Sequence, residues 1–240
     1  MIDPQSGPPN LMPPPPSGAL DASLQLADWR RRTAALWAAW RAEASLGPAQ
    51  AARATLAFRA AKDALFRDHP QSPLPEEGRG TAFAGLRYWP YDPAWRLTVR
   101  LEPALDMSAG PSADTLALPS SGPEPLAFRR LASVVLAGPL TGRRLSLFWL
   151  EGYAGGLFLP LRDATASRET YGAGRYLLDT SKGADQGWAP GADAFVLDLN
   201  LAYHPSCAYD PRWACPLAPP ENRLDLPVRA GERLATDGDG

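Results

Sequence analysis

Cysteine, histidine and lysine are almost missing from this chain of 240 residues, which carries two of each. Two cysteines cannot staple a small disulfide scaffold. Cys207, Cys215 and His204 lie close in sequence, but His69 is far away. A tetrahedral zinc site wants close-spaced ligand pairs, so no metal is expected. No run of about 18 apolar residues occurs, which excludes a bilayer-spanning helix. The net charge of −2 gives no general attraction for nucleic acid or anionic membrane, and neither is expected as a partner. The opening stretch MIDPQSGPPNLMPPPPSGAL has no basic start followed by an apolar run. It does not read as a secretory signal, and a cytoplasmic location is expected. Phosphate-binding loops, HExxH, GxSxG and CxxC are also missing, which speaks against an NTPase, a zincin, an α/β hydrolase or a thioredoxin-like protein. No cofactor is expected.

What the chain does contain is arginine, proline and short apolar runs. Only Lys62 and Lys182 break the arginine monopoly on positive charge. Residues 1–20 are rich in Pro, Ser and Gly and read as a disordered arm, with a short tail at 235–240. Over 21–70 the apolar period is that of a helical pair. Asp21 or Ser23 is the candidate N-cap of the first helix. Trp29, Thr33, Leu36, Trp37 and Trp40 recur at helical spacing, with Arg30, Arg31, Arg32, Arg41 and Glu43 on the other faces. Gly47-Pro48 ends this helix. Thr55, Phe58, Ala61 and Leu65 mark a second helix, stopped at His69-Pro70. Such an aromatic stripe serves as core or docking surface more readily than as a ligand box.

From Pro75 the period drops to two. WRLTVRLE, LASVVLAG, RLSLFWLEG, GLFLPL, RYLLD and AFVLDLNLAY are short apolar runs bounded by Gly, Pro, Asp or Ser. No long helices alternate with them, so a parallel doubly wound sheet is disfavoured. The expectation is an α+β, mainly β fold: an antiparallel barrel or sandwich over 71–234, preceded by the helical pair and closed by a proline-rich segment.

Four motifs are candidates for chemistry. In TYGAGRY, Gly172 and Gly174 permit positive φ, and Arg175 follows at once. This is either an anion nest with a guanidinium clamp or a glycine turn with Arg175 paired to Glu169 or Asp163. In AFVLDLNLAY, Phe195, Leu197, Leu199 and Leu201 would face the core and put Asp198 and Asn200 on the other face. Those two either line a pocket or tether the segment that follows. Cys207 and Cys215 have seven residues between them and read as partly buried thiols, with a nucleophile assisted by His204 as the sharper alternative. In PLAPPENRLDLPV, Pro219-Pro220 fixes an extended path that offers Glu221 and Asn222 to a bound molecule or to backbone donors.

PLRDATASRETYGAGRYLLD, then DLNLAYHPSCAYDPRWACPLAPPENRLDLPVRAGE, and upstream SPLPEEGRGTAFAGLRYWPYDPAWR at 72–96, resemble the family catalogued as domain of unknown function 1684. The likeness covers about residues 50–233 and implies one coherent domain, but no reaction. The resemblance implies Asn where this chain has His204, which weakens a catalytic role for that histidine.

The leading expectation is a binding protein for a small anionic ligand at a β-barrel mouth. Its clamp is Arg162 and Arg175, with Tyr171, Asp198, Asn200, Glu221 and Asn222 around it. The alternatives are an enzyme using Glu221 or Cys207, or an interaction module acting through the Trp-rich helix. Oligomeric state is not legible.

Overall fold

A computed structural model describes residues 17–103, 115–121, 126–153, 155–187 and 194–235. The first sixteen residues of the expected arm, and 236–240 of the expected tail, lie outside them.

Helix α1 (Ser17–Ala44) and helix α2 (Pro48–Asp68) form the expected pair. Gly47, at φ 136°, makes the turn between them, and Pro48 takes the first position of α2, where its missing N–H costs nothing. The helix begins before Asp21 and Ser23, so neither residue caps it. The aromatic stripe faces inward. Trp37 and Trp40 are buried with Phe58, and Trp40 Nε1 donates to Thr55 Oγ1 at 3.0 Å.

The remainder is antiparallel: β1 (Arg87–Tyr88), β2 (Arg96–Pro103), β3 (Thr115–Leu118), β4 (Leu126–Val135), β5 (Arg144–Leu150), β6 (Leu157–Leu161), β7 (Arg175–Asp179), β8 (Ala194–Asp198) and β9 (Glu232–Arg233). The large sheet runs β7-β6-β5-β4-β2-β8 with β3 beside β4, and it curls into a half-barrel. β1 and β9 make a separate pair. The fold is therefore α+β and mainly β. Leucine and valine side chains from β2, β4, β5, β6, β7 and β8 fill the hollow, and Leu224, Val228 and Ala230 of the proline-rich segment complete that core. A second cluster, around Phe128, Phe148, Phe158 and Tyr176, forms a separate core.

Two sequence expectations change in detail. β8 stops at Asp198, and Leu199–Leu201 form a tight turn, so Asn200 is not on a strand. Asp198 and Asn200 are as fully buried as the leucines beside them, because α2, the 89–92 loop and Gln186 cover the second face. In TYGAGRY only Gly174 has positive φ, at 99°; Gly172 does not.

Candidate functional site

The seven expected ligand residues do not converge. Arg175 is wholly enclosed. Its Nη2 donates to Asp163 at 2.7 Å and to the Val228 carbonyl at 2.7 Å. Its Nη1 serves the carbonyls of Ala230 and Glu232. The guanidinium lies 5.2 Å over the Trp89 ring. Of the two acids expected as partners, Asp163 takes the role, while Glu169 forms a two-pronged pair with Arg229 at the surface. Asp198 accepts from Asn200 backbone N–H at 3.0 Å and from Tyr91 Oη at 3.2 Å. Burial raises its pKa, against the pull of its Asn200 and Arg96 neighbours. Asn200 exchanges hydrogen bonds with the backbone of Asp92 and receives Arg59 on its carbonyl.

Asn222 is buried and pins the proline-rich segment to the sheet. Its Oδ1 accepts from Ser146 N–H at 2.9 Å, and its Nδ2 donates to the carbonyls of Ser146 and Pro160. Pro160 can sit in a strand because the β6–β7 ladder shifts register there. Glu221, next door, points to the surface and pairs with Arg130. Arg162 is half-buried and donates from Nε to the Gly172 carbonyl at 2.7 Å. Only Arg162, Tyr171 and Glu221 of the seven keep appreciable exposure.

A different place gathers more. Between the helical pair and the 203–209 loop lies a cavity of about 100 Å³. Trp29, Trp37, Phe58, Phe66, Tyr176, Tyr203 and Tyr209 supply aromatic surface to it. Both lysines of the chain line it. Lys62 Nζ sits 4.8 Å over Tyr203 and 5.2 Å over Phe66, and it pairs with Glu232. Lys182 is half exposed and stands 3.6 Å from Asp179. Apolar walls with a few convergent polar groups are the usual composition of a small-molecule site, although this cavity is far smaller than the ~300 Å³ or more of a drug-sized pocket.

Electrostatics below the cavity are tightly set. Glu232 is buried and accepts from Tyr209 Oη at 2.6 Å and from His204 N–H at 2.7 Å. Burial raises its pKa, but the Lys62 charge, with hydrogen bonds from Lys62 and Tyr209, wins and holds it below the usual carboxylate range. His204 Nε2 accepts from Tyr171 N–H at 3.2 Å, so its proton is on Nδ1, toward Glu232 at 3.8 Å. Burial pushes the His204 pKa down to about 4. With Nε2 already occupied, this histidine holds the loop and has no free lone pair for a nearby nucleophile.

Cys207 and Cys215 approach one another beyond that loop: Cys207 N–H donates to Cys215 Sγ at 3.4 Å. Hydrogen bonding from the Cys215 thiol, helped by Ser121 and Tyr171, outweighs burial and lowers the Cys207 pKa to about 6. Cys215 is pushed strongly up by the same bond and by burial. Among the described residues, no three of His, Cys, Asp and Glu gather where they could hold a metal ion. No helix among them is long and apolar enough to cross a membrane.

A family profile described as protein of unknown function (DUF1684) matches residues 81–233. The chain belongs to that family. The DUF1684 match begins after α2, so it spans β1 to β9 and all seven expected residues but leaves the helical pair outside. It is shorter than the likeness expected from residue 50 onward. A solution NMR structure of an uncharacterized protein from Haloarcula marismortui is similar at 32% identity, with a TM-score of 0.54, over 77% of this chain and 94% of that one. No curated protein matches.

Lys62, Glu232 and the 203–209 aromatics went unnoticed in the sequence as a group. The available signal was rarity: the only two lysines among so many arginines both border one cavity.

Proposed function

We propose that this DUF1684 chain binds a small molecule with an apolar body and an acidic end, in the aromatic cavity between the helical pair and the β-domain. The observation that carries this reading is the convergence of both lysines on one aromatic-walled space. Lys182 at the mouth has one carboxylate nearby and is otherwise open to an incoming anion. Lys62 gives one of its three donors to Glu232 and rests on two rings, which fixes the direction of the others. Aromatic walls take up the apolar body of a ligand at little cost in side-chain entropy, because they are already packed against one another.

The anionic ligand expected from the sequence is retained, but its place is moved. Arg175, Asp198, Asn200 and Asn222 spend their hydrogen bonds within the protein, so the barrel-end clamp is a poorer host. We set the chain in the cytoplasm, where its two free thiols rest in the reduced form.

The test is a thermal-shift screen of small aromatic and aliphatic carboxylates and phosphates. A ligand present at about 100 times its Kd adds roughly 2.7 kcal/mol of stability. That corresponds to a rise of several degrees in Tm for a chain of this size. Lys182→Met should abolish the response and leave the Tm of the empty protein unchanged. A screen in which no acid raises Tm, or one whose hits act equally on Lys182→Met, overturns the reading.

A further inference from the structure

We propose that Cys207 and Cys215 form a hydroperoxide-reactive thiol pair, in which Cys207 attacks the peroxide and Cys215 resolves the product into an intramolecular disulfide. This does not rest on the ligand reading above. The geometry supplies three things such a reaction needs: proximity, division of roles and rigidity.

Proximity comes from the way the 206–216 segment doubles back. Cys207 sits in the tight turn Ser206–Ala208, and its own N–H reaches Cys215 Sγ at 3.4 Å. Each thiol shifts the other's titration, Cys207 downward and Cys215 upward. Division of roles comes from their surroundings. Cys207 retains 8% exposure, whereas Cys215 is closed off at 1%. Tyr171 stands beside the Cys207 sulfur, and hydrogen bonding there favours a thiolate. The Cys215 proton, by contrast, is held on its sulfur until the second step.

Rigidity comes from the anchors of both limbs. Cys215 N–H donates to Ser121 Oγ at 2.8 Å, and Ser121 N–H returns a bond to the Cys215 carbonyl at 2.9 Å. Leu217 N–H reaches the Pro119 carbonyl, and Trp213 Nε1 reaches the Pro73 carbonyl. The pair is therefore held in contact without a covalent bond, which is the arrangement that favours closure over sulfenic acid build-up.

The chemistry balances. Cys207 thiolate attacks one oxygen of hydrogen peroxide, the O–O bond breaks, and the departing hydroxide takes up the proton that Cys207 had released. This gives Cys207 sulfenic acid and one water. Cys215 sulfur then attacks Cys207 sulfur, the S–O bond breaks, and the leaving hydroxide takes the Cys215 proton as a second water. Two thiols have lost two hydrogens, and one peroxide has become two waters.

The experiment treats the full-length native protein with hydrogen peroxide and reads intact mass and a non-reducing peptide map. The expected result is a monomer lighter by two hydrogens, with the Cys207 and Cys215 peptides linked. Cys215→Ser should instead stop at a sulfenic acid, trapped by dimedone on Cys207. Tyr171→Phe should slow the reaction several-fold and weaken the thiolate ultraviolet absorbance at neutral pH, with Tm preserved. That spectroscopic change separates a role at the sulfur from mere packing. If Cys215→Ser does not fold, Cys215→Ala and the order of labelling in the parent protein serve instead. Native thiols that react only after addition of urea, a first label on Cys215, or links between two chains would each overturn the proposal.

Discussion

Arg175 Nη2 meets Asp163 Oδ2 at 2.7 Å with both side chains essentially sealed from solvent. Such a pair adds little net stability when intact, but it is expensive to break, because the surviving carboxylate is left buried without its counter-ion. Three carbonyls of the closing segment also lose their donor. Arg175→Ala is therefore expected to lower unfolding free energy by roughly 3–5 kcal/mol. Adding Asp163→Asn to it should cost less than the two single changes summed. Urea midpoints of the three variants decide the matter, and an Arg175→Ala protein as stable as its parent would sink this account of the pair.

Glu221 and Asn222 are neighbours with opposite fates, and they should respond very differently. Asn222→Ala strips hydrogen bonds from Ser146 N–H, the Ser146 carbonyl and the Pro160 carbonyl. Leaving buried groups unsatisfied costs about 1–3 kcal/mol each at most, so a loss of roughly 3 kcal/mol is expected for the site. Glu221→Gln removes only a partly exposed ion pair with Arg130 and should cost less than about 1 kcal/mol. Chemical denaturation of both variants in one buffer gives the comparison. Equal losses would mean that the proline-rich segment is not held through Asn222.

The helical pair and most strands were legible because each has a period. Trp37 and Trp40 at helical spacing turned inward, and VLDL alternation gave β8 up to Asp198. Short pieces such as β1 and β9 were not legible, since two residues carry no period and their pairing is set by the path of the chain between them. The site was harder still. Asn200 and Asn222 read as ligand groups because polar residues in apolar company need a partner. Whether that partner is a molecule or the chain's own backbone depends on contacts more than sixty residues apart. Lys62 and Glu232 are 170 positions apart, and nothing local in either neighbourhood announces the other.

His204 makes stability depend on pH. Its ordinary pKa of 6.5 applies to the unfolded chain, and burial lowers it to about 4 in the folded protein. The unfolded state thus binds a proton first as pH falls. The contribution of neutral His204 is fully present above pH 6.5 and is lost progressively down to about pH 4. Over that window the loss is roughly 3 kcal/mol, because each tenfold difference in proton affinity between the two states is worth about 1.4 kcal/mol. His204→Asn keeps a side-chain acceptor available for Tyr171 N–H and has nothing to titrate. Its stability should stay flatter than the parent's from pH 6.5 to 5. Urea melts at several pH values test this, and parallel curves for the two proteins would show that His204 is not the source.

The glycines of TYGAGRY should also part company on substitution. Gly174 has φ of 99°, and a Cβ built there would lie 2.5 Å from the Leu161 carbonyl oxygen. The carbonyl belongs to β6 and cannot step aside without disturbing the β6–β7 ladder, in which Leu161 pairs with Arg175. Strain in φ adds to the clash, since an L side chain at such a φ costs of order 1–3 kcal/mol by itself. Gly172 has ordinary φ, and its added Cβ would meet only the Ser167 hydroxyl, at 2.6 Å. That oxygen can swing to another rotamer. Gly174→Ala is expected to cost well over 3 kcal/mol or to prevent folding, whereas Gly172→Ala should cost about 1 kcal/mol or less. If both proteins are purified and melted side by side, a Gly174→Ala chain with parental Tm would mean that the turn before Arg175 relaxes freely, and the rigid placement of the guanidinium would have to come from Asp163 and the closing segment alone.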